Sequence, residues 1–408
     1  MGYGRVHFAR NVSPGLYPNL EPVAIVWSRL FFLNNNLKQT IMKKIFLTLV
    51  SLCLCFGFVS AQDGIKYVDA QSLTHIGKMC ETTNPYHRVE VDKYPELNKT
   101  ERNLLIMASG QAICFETDAT EIWVQAEYGR ISFNRAMPET AGAGFNLYIE
   151  HQGEFVWAAS KVNKGGHDKE GNYNRSKPLR VIANMDGSKH RCILYLPLYS
   201  ELTSLKVGVP EGAELVAMEN PFRHRIAIFG SSYTHGSCAT AAGQTYPAFL
   251  SRQTGLYLCS FGMSGNSKLQ RVMGEILAGT KADAYICDAF SNPSIQQIGE
   301  RIRPFIKEIR AKNKKAPIIF LRTIYRDGRL FDTKAEKKEA DRMAYVDELM
   351  QTICKEFKNV YFVDVKDQTG TDLMTSADGV HPCSWGYKRW ADAIQQPIVE
   401  ILAKHGIK

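Results

Sequence analysis

The stretch Ile226-Ala227-Ile228-Phe229-Gly230-Ser231-Ser232-Tyr233-Thr234-His235-Gly236 is a short apolar run that breaks into a polar, glycine-bounded turn. Four apolar residues followed by Gly-Ser-Ser read as a buried strand ending in an exposed loop. Further apolar strands are expected at Leu256–Phe261, Ala284–Phe290, Ile318–Leu321 and Val360–Val363. Helix-length segments at 244–253, 268–278, 295–312, 334–357 and 385–403 alternate with them. Strands that are apolar throughout, with helices between them, call for a parallel sheet covered on both faces. Residues 223–408 are therefore predicted to form an α/β domain, three-layered and flavodoxin-like.

Upstream of Asn220-Pro221 the rhythm differs. Between residues 62 and 222 short extended runs, such as Glu121–Ala126, Gly144–Ile149, Glu154–Trp157, Cys192–Leu196 and Leu205–Val209, are broken by Gly, Asn, Asp and Pro. Helical periodicity over ten or more residues is missing, which predicts an all-β sandwich or jelly roll.

Met42 opens the stretch MKKIFLTLVSLCLCFGFVSAQD, with two lysines, an apolar run from Ile45 to Val59 and then Val59-Ser60-Ala61. Those are the three parts of a secretory signal peptide over residues 42–61, and the run is short for a membrane span. Residues 1–41 read as translated upstream sequence, and a mature chain is expected to begin at Gln62. Export to the periplasm or cell surface, with no stable membrane span in the mature chain, follows from this reading.

The formal charge of +9 invites a nucleic-acid partner. Six basic residues and one acid fall before residue 62, leaving 44 basic and 40 acidic side chains, or +4. No block of like charge stands out, so nucleic acid is not expected. Cys80, Cys114, Cys192, Cys238, Cys259, Cys287, Cys354 and Cys383 remain in the mature chain without a CxxC or metal-type cluster, so no metal is indicated. Export would permit disulfides, whose pairs sequence does not assign.

Ligands of an open parallel sheet gather at the carboxyl ends of its strands. There the sequence places Ser232, then Gly262-Met263-Ser264-Gly265-Asn266, then Asp288-Ala289-Phe290-Ser291-Asn292-Pro293, and last Ala377-Asp378-Gly379-Val380-His381-Pro382. A serine hydroxyl needs a base, and a histidine oriented by a carboxylate supplies one. Asp378 and His381 are three residues apart on one loop, close enough to pair. A developing oxyanion needs fixed donors, available as the N–H groups of Ser232 and Gly265 and the side-chain amide of Asn292. Taken singly each feature fits a bland role: a turn, a capping pair, a strand-end glycine. Their order along one doubly wound domain makes a complete acyl-transfer set.

With those residues in place, residues 225–408 resemble the SGNH (GDSL-like) hydrolases. Gly230-Ser-Ser-Tyr-Thr234 and Gly262-Met-Ser-Gly-Asn-Ser-Lys-Leu-Gln270 are similar to the first two blocks of a GDSL-lipase subfamily. Gly144-Phe-Asn-Leu-Tyr148 resembles the GxDLY motif of the β-rich module that often precedes it. The resemblance implies a serine esterase with Ser232, His381 and Asp378 as triad and no cofactor. It also implies short acyl groups, acetyl or similar, on carbohydrate. Three departures stand out: Ser231 replaces the Asp of the familiar GDS block, the third block lacks Gly-x-Asn-Asp around Asn292, and Asn146 replaces the Asp of GxDLY. Tyr233 and His235 are candidates for substrate contact, with local hydrogen bonding as the plainer role of His235. A bridge between Cys238 and Cys383 is one open reading. Arg322 and Asp327 read as a solvated loop pair near substrate, and Trp123 and Trp157 as core. Two rival functions remain: a lipid-type esterase or lysophospholipase using the same triad with a long apolar groove, and a degenerate carbohydrate-binding protein.

Overall fold

The computed structural model describes residues 64–408 except 134, 164, 168–172 and 175. The leader and the upstream segment, residues 1–61, and the start at Gln62 lie outside the described residues. Two antiparallel sheets form the N-terminal half. One runs in the order β1 (Ile65–Asp69), β11 (Ser200–Pro210), β4 (Ile122–Ile131), β9 (Leu179–Ile182). The other runs β12 (Leu215–Ala217), β3 (Ala112–Thr117), β10 (His190–Tyr195), β5 (Phe145–His151), β6 (Glu154–Lys161), with β2 (Thr74–Ile76) also paired to β3. A two-residue ladder, β7 (Gly166–His167) with β8 (Tyr173–Asn174), stands apart. Two short helices, α1 (Lys99–Leu105) and α2 (Glu139–Gly142), interrupt the strands. The sequence reading did not include α1; a capping box between Asn98 and Glu101 starts it.

Period-two alternation explains how the sheets pack. In β4, Ile122, Val124 and Ala126 are buried while their neighbours are partly exposed. The second sheet is apolar on both faces. Phe145, Leu147, Cys192 and Leu194 pack into the sandwich core. Tyr148, Ile193 and Tyr195 point the other way, into the core of the α/β half. Residues 63–408 are accordingly one compact unit.

The α/β half is built on a five-stranded parallel sheet in the order β14 (Leu256–Gly262), β13 (Arg223–Gly230), β15 (Ala284–Asp288), β16 (Ile318–Leu321), β17 (Val360–Val363). Helices α3 (Ser232–His235), α4 (Tyr246–Thr254), α5 (Arg271–Ala278), α6 (Ile295–Lys312), α7 (Thr333–Glu356) and α8 (Ser384–Ala403) connect and cover it. The third strand stops at Asp288, two residues short of the predicted Phe290. Among the described residues no helix is long and apolar enough to cross a membrane.

The GxDLY-like motif is one of the joints between the halves. Asn146 Oδ1 accepts the Gly243 N–H at 3.0 Å, and its Nδ2 donates to Ala159 O at 2.8 Å. An ionised aspartate could make only the first bond, so the asparagine is well matched to this joint. Arg252 donates to the hydroxyls of Tyr148 and Tyr195, at 3.2 and 2.9 Å, and lies 3.9 Å over the Tyr148 ring. Arg88 is fully buried and donates to Met107 O, Leu104 O and, across the joint, to Ser260 O and Gly262 O at 3.2 and 3.0 Å. The upstream half thereby grips the end of β14, the strand that leads into the Gly265 loop.

Candidate active site

β13 has β14 on one side and β15 on the other, so the strand order reverses at its carboxyl end. That is where an open α/β sheet leaves a crevice. The chain turns there at Gly230. A Cβ on this residue would lie 1.9 Å from Thr234 Oγ1, so only glycine permits the turn. Ser231 caps α3 by accepting the Tyr233 N–H, and Ser232 is the first residue of that helix. Beneath the turn, Asp288 Oδ2 accepts from the Ser231 N–H at 3.0 Å, Ser231 Oγ at 2.7 Å and Thr234 Oγ1 at 3.2 Å. Sequence reasoning passed over Asp288. A lone carboxylate closing the otherwise apolar Ala284–Phe290 run was the signal.

Burial pushes the Asp288 carboxyl up to about 6, against the opposing bonds from Ser231 and Thr234. Its ordinary value is 3.8, so the folded state favours the protonated form. Stability contributed by this group therefore falls as pH rises from about 4 to about 6 and is level above that. Asp288→Asn keeps an oxygen for the three donors and removes the slope. Its melting temperature relative to the parent should move in the variant's favour between about pH 4.5 and about pH 7.5. A gap that stays constant across that range would rule out a buried, titrating carboxyl.

The loop between β17 and α8 is closed by a bridge between Ser376 and Pro382 and by the Ala377 N–H on His381 O at 2.9 Å. Inside it Asp378 Oδ1 accepts the N–H groups of Val380 and His381, at 3.0 and 2.7 Å. Its Oδ2 lies 2.8 Å from His381 Nδ1, and His381 Nε2 lies 2.9 Å from Ser232 Oγ. Burial alone would raise the Asp378 carboxyl, but the bonds from the His381 ring and the two N–H groups outweigh it and hold it below its usual value. With Nδ1–H held by a carboxylate, Nε2 is the nitrogen free to accept a hydroxyl proton. Cys238 places its thiol 3.9 Å from the same Oδ2. Cys238, Asp378 and His381 bring ligand atoms within 4.8 Å of one another, the one such grouping among the described residues. The carboxylate and imidazole of that set are already joined by a hydrogen bond.

Ser232 and His381 open on a cleft of about 680 Å³ that Gly265 and Asn292 also line. Gly265 adopts φ +69° with open space where a Cβ would be. Asn292 Oδ1 accepts the Ser267 N–H at 3.3 Å, which leaves its amide N–H pair as the available end. The upstream half reaches in as well. Ser132, Phe133 and Tyr199 line the cleft, and the Tyr199 hydroxyl bonds the Ser264 hydroxyl next to Gly265.

Neither Tyr233 nor His235 lines the cleft, and His235 takes the local hydrogen-bonding role that is its plainer reading. His235 is buried with its Nε2–H on Leu198 O at 2.9 Å and its ring stacked on Tyr199, so it braces the joint rather than facing substrate. Burial, helped by the charge of Arg88, holds its imidazole neutral. Tyr233 is likewise buried; its hydroxyl accepts from Arg326 Nε at 2.7 Å and its ring edges onto His381. No disulfide joins any two of the eight cysteines among the described residues, so Cys238 and Cys383 are not bridged to each other. Arg322 pairs with Asp347 and Asp364, and Asp327 accepts the Ser376 N–H at 3.0 Å, supporting the His381 loop from behind. Trp157, expected in the core, is 54% exposed on the edge strand β6. Arg326, Glu339 and Arg342, which sequence reasoning missed, form one wall of the cleft.

Comparison with known proteins follows the two halves. Residues 65–215 match the family described as the N-terminus of Esterase_SGNH_hydro-type, and residues 223–399 match the GDSL-like Lipase/Acylhydrolase family. No curated protein sequence matches the chain. A crystal structure from Bacteroides ovatus, described as a GDSL-like lipase, is 32% identical, covering 83% of this chain and 98% of its own, with a TM-score of 0.77. A salicylyl-acyltransferase from a tetracycline biosynthetic pathway shares the fold at 17% identity, with 85% and 100% of the two chains covered and a TM-score of 0.64. So does a family two carbohydrate esterase from Clostridium thermocellum in complex with cellohexaose, at 15% identity, 74% and 94% coverage and a TM-score of 0.51.

Proposed function

This chain belongs to the GDSL-like lipase/acylhydrolase family and is an esterase of the SGNH type, and from that premise we infer that it removes short acyl groups, acetyl or similar, from carbohydrate by a Ser232–His381–Asp378 triad. The observation that carries the reading is the unbroken relay from Asp378 Oδ2 to His381 Nδ1, at 2.8 Å, and from Nε2 to Ser232 Oγ, at 2.9 Å. His381 takes the Ser232 proton as the oxygen attacks the ester carbonyl, and Asp378 stabilises the imidazolium that forms. The tetrahedral oxyanion is met by the Ser232 and Gly265 N–H groups and the Asn292 amide. His381 then gives its proton to the leaving alcohol, and water activated by the same nitrogen releases the acid from the acyl-enzyme. No step calls on a cofactor.

The cleft supports a short acyl group. Ser132, Ser237, Ser264, Ser291 and Asn292 supply much of its lining, and Leu104, Phe133 and Val380 are its aliphatic and phenyl members. Each methylene truly buried gains about 0.8 kcal/mol, so a long-chain lipase improves along a chain-length series until its groove fills. In p-nitrophenyl esters from acetate to palmitate, kcat/KM should fall steeply beyond about four carbons. Acetylated oligosaccharides run beside the series should release acetate. Higher kcat/KM for octanoate or palmitate would replace the carbohydrate reading with the lipid one. The cellohexaose-bound carbohydrate esterase among the structural neighbours fits the same substrate class. The leader pattern at 42–61 fits action outside the cytoplasm, a secreted product starting near Gln62 being the check.

A further inference from the structure

The α7 wall of the cleft carries charge that hydrolysis of a neutral ester does not use. Glu339 Oε1 lies 3.2 Å from an Arg326 nitrogen and 3.0 Å from an Arg342 nitrogen, so one carboxylate serves two guanidiniums. Both arginines also donate to Ser291 O, at 3.1 and 2.7 Å, which fixes their planes beside Asn292. Lys338, the next cleft residue on α7, is exposed and has no carboxylate within ion-pair distance among the described residues. Glu339 is the one acid among the residues that line this cleft. The Asp378 carboxylate is turned to His381, and Asp288 is buried beneath Ser231.

We propose that this wall, Lys338 with Arg326 and Arg342, is a subsite for an anionic group on the saccharide, a carboxylate or sulfate ester, beside the acyl group that Ser232 attacks. The inference rests on the esterase reading above and narrows its substrate to acidic saccharides. Its physics is that of a half-enclosed cleft lined by a surplus of one sign, which raises the local concentration of the opposite charge. The two arginines act through their fixed field, since most of their donors are engaged. Lys338, a compact ammonium on a flexible stem, makes the direct contact.

The experiment compares acetylated oligogalacturonates with the same oligosaccharides after methyl esterification of their carboxylates, at matched acetylation, in low salt and in about 0.5 M NaCl, where the Debye length falls well below 10 Å. The acidic form should have a kcat/KM about 2- to 5-fold higher in low salt, the scale of an exposed ion pair, and the advantage should shrink with salt. Lys338→Glu, at an exposed helix position, should lower the acidic-to-neutral ratio about tenfold or more by replacing attraction with repulsion. A sulfated, acetylated oligosaccharide distinguishes the two sources of charge, and preference for either supports the subsite. Equal kcat/KM for acidic and neutral forms, a ratio that Lys338→Glu leaves unchanged, or an anionic lysophospholipid outperforming every saccharide would overturn it. Failure of this kind is separable from failure of the esterase reading, because hydrolysis of p-nitrophenyl acetate by the parent enzyme tests that reading without any anionic group.

Discussion

Ser232→Ala is expected to abolish turnover of p-nitrophenyl acetate, by on the order of 10⁶ in kcat where nucleophile, base and acid act as one unit, while the melting temperature stays nearly where it was. The two halves of that expectation have separate causes. Among the described residues Ser232 Oγ has one side-chain partner, His381 Nε2, so the alanine variant loses the nucleophile and little else. The helix start does not depend on it, because Ser231 is the cap and Asp288 anchors the turn through Ser231 and Thr234. His381→Ala should fall to a similar floor, and adding it to Ser232→Ala should cost little more, since each alone stops the same step. A fluorophosphonate probe should label the parent at Ser232 and leave the variant unlabelled. Labelling at another serine, or turnover within about a hundredfold of the parent, would reject Ser232 as the nucleophile.

The sequence was most legible where local rules decide the outcome. Ile318–Leu321 and Val360–Val363 are apolar runs with no second reading, and they are strands with those bounds. The Asp378/His381 pairing was legible because both partners sit on one loop, where three residues of spacing set the reach. Tyr233 lies outside the cleft lining because a helix advances about 100° per residue from Ser232, which turns it to another face. His235, three positions on and so near the Ser232 face, is taken up by its bond to Leu198 O and its stack on Tyr199. Tyr199, Arg326 and Arg342 were invisible for a different reason: they arrive from distant segments, and only the packing of the two halves and of α7 against the Ser291 loop brings them to the cleft. Trp157 shows the limit of alternation, which marks a strand but not whether that strand is central or, like β6, at an edge.

Asn292 is the position where geometry and chemistry can be separated by choice of substitution. Its Oδ1 holds the Ser267 N–H at 3.3 Å, a structural contact to the loop that carries Gly265. Its amide N–H pair, on the other terminus, is the proposed oxyanion donor. Asn292→Ala removes both and is expected to cost about 10²–10³ in kcat, the usual loss for one such donor. Asn292→Asp is the sharper test. It keeps an oxygen for Ser267, so the loop stays tied, but at neutral pH it has no donor and sets a negative charge where the oxyanion would form. Its kcat should therefore fall at least as far as that of the alanine variant, with KM for a small ester little changed and the melting temperature closer to the parent's. If Asn292→Asp kept kcat within about threefold of the parent, the role of Asn292 would be to tie the two loops together, and the oxyanion would be left to the backbone N–H groups of Ser232 and Gly265 alone.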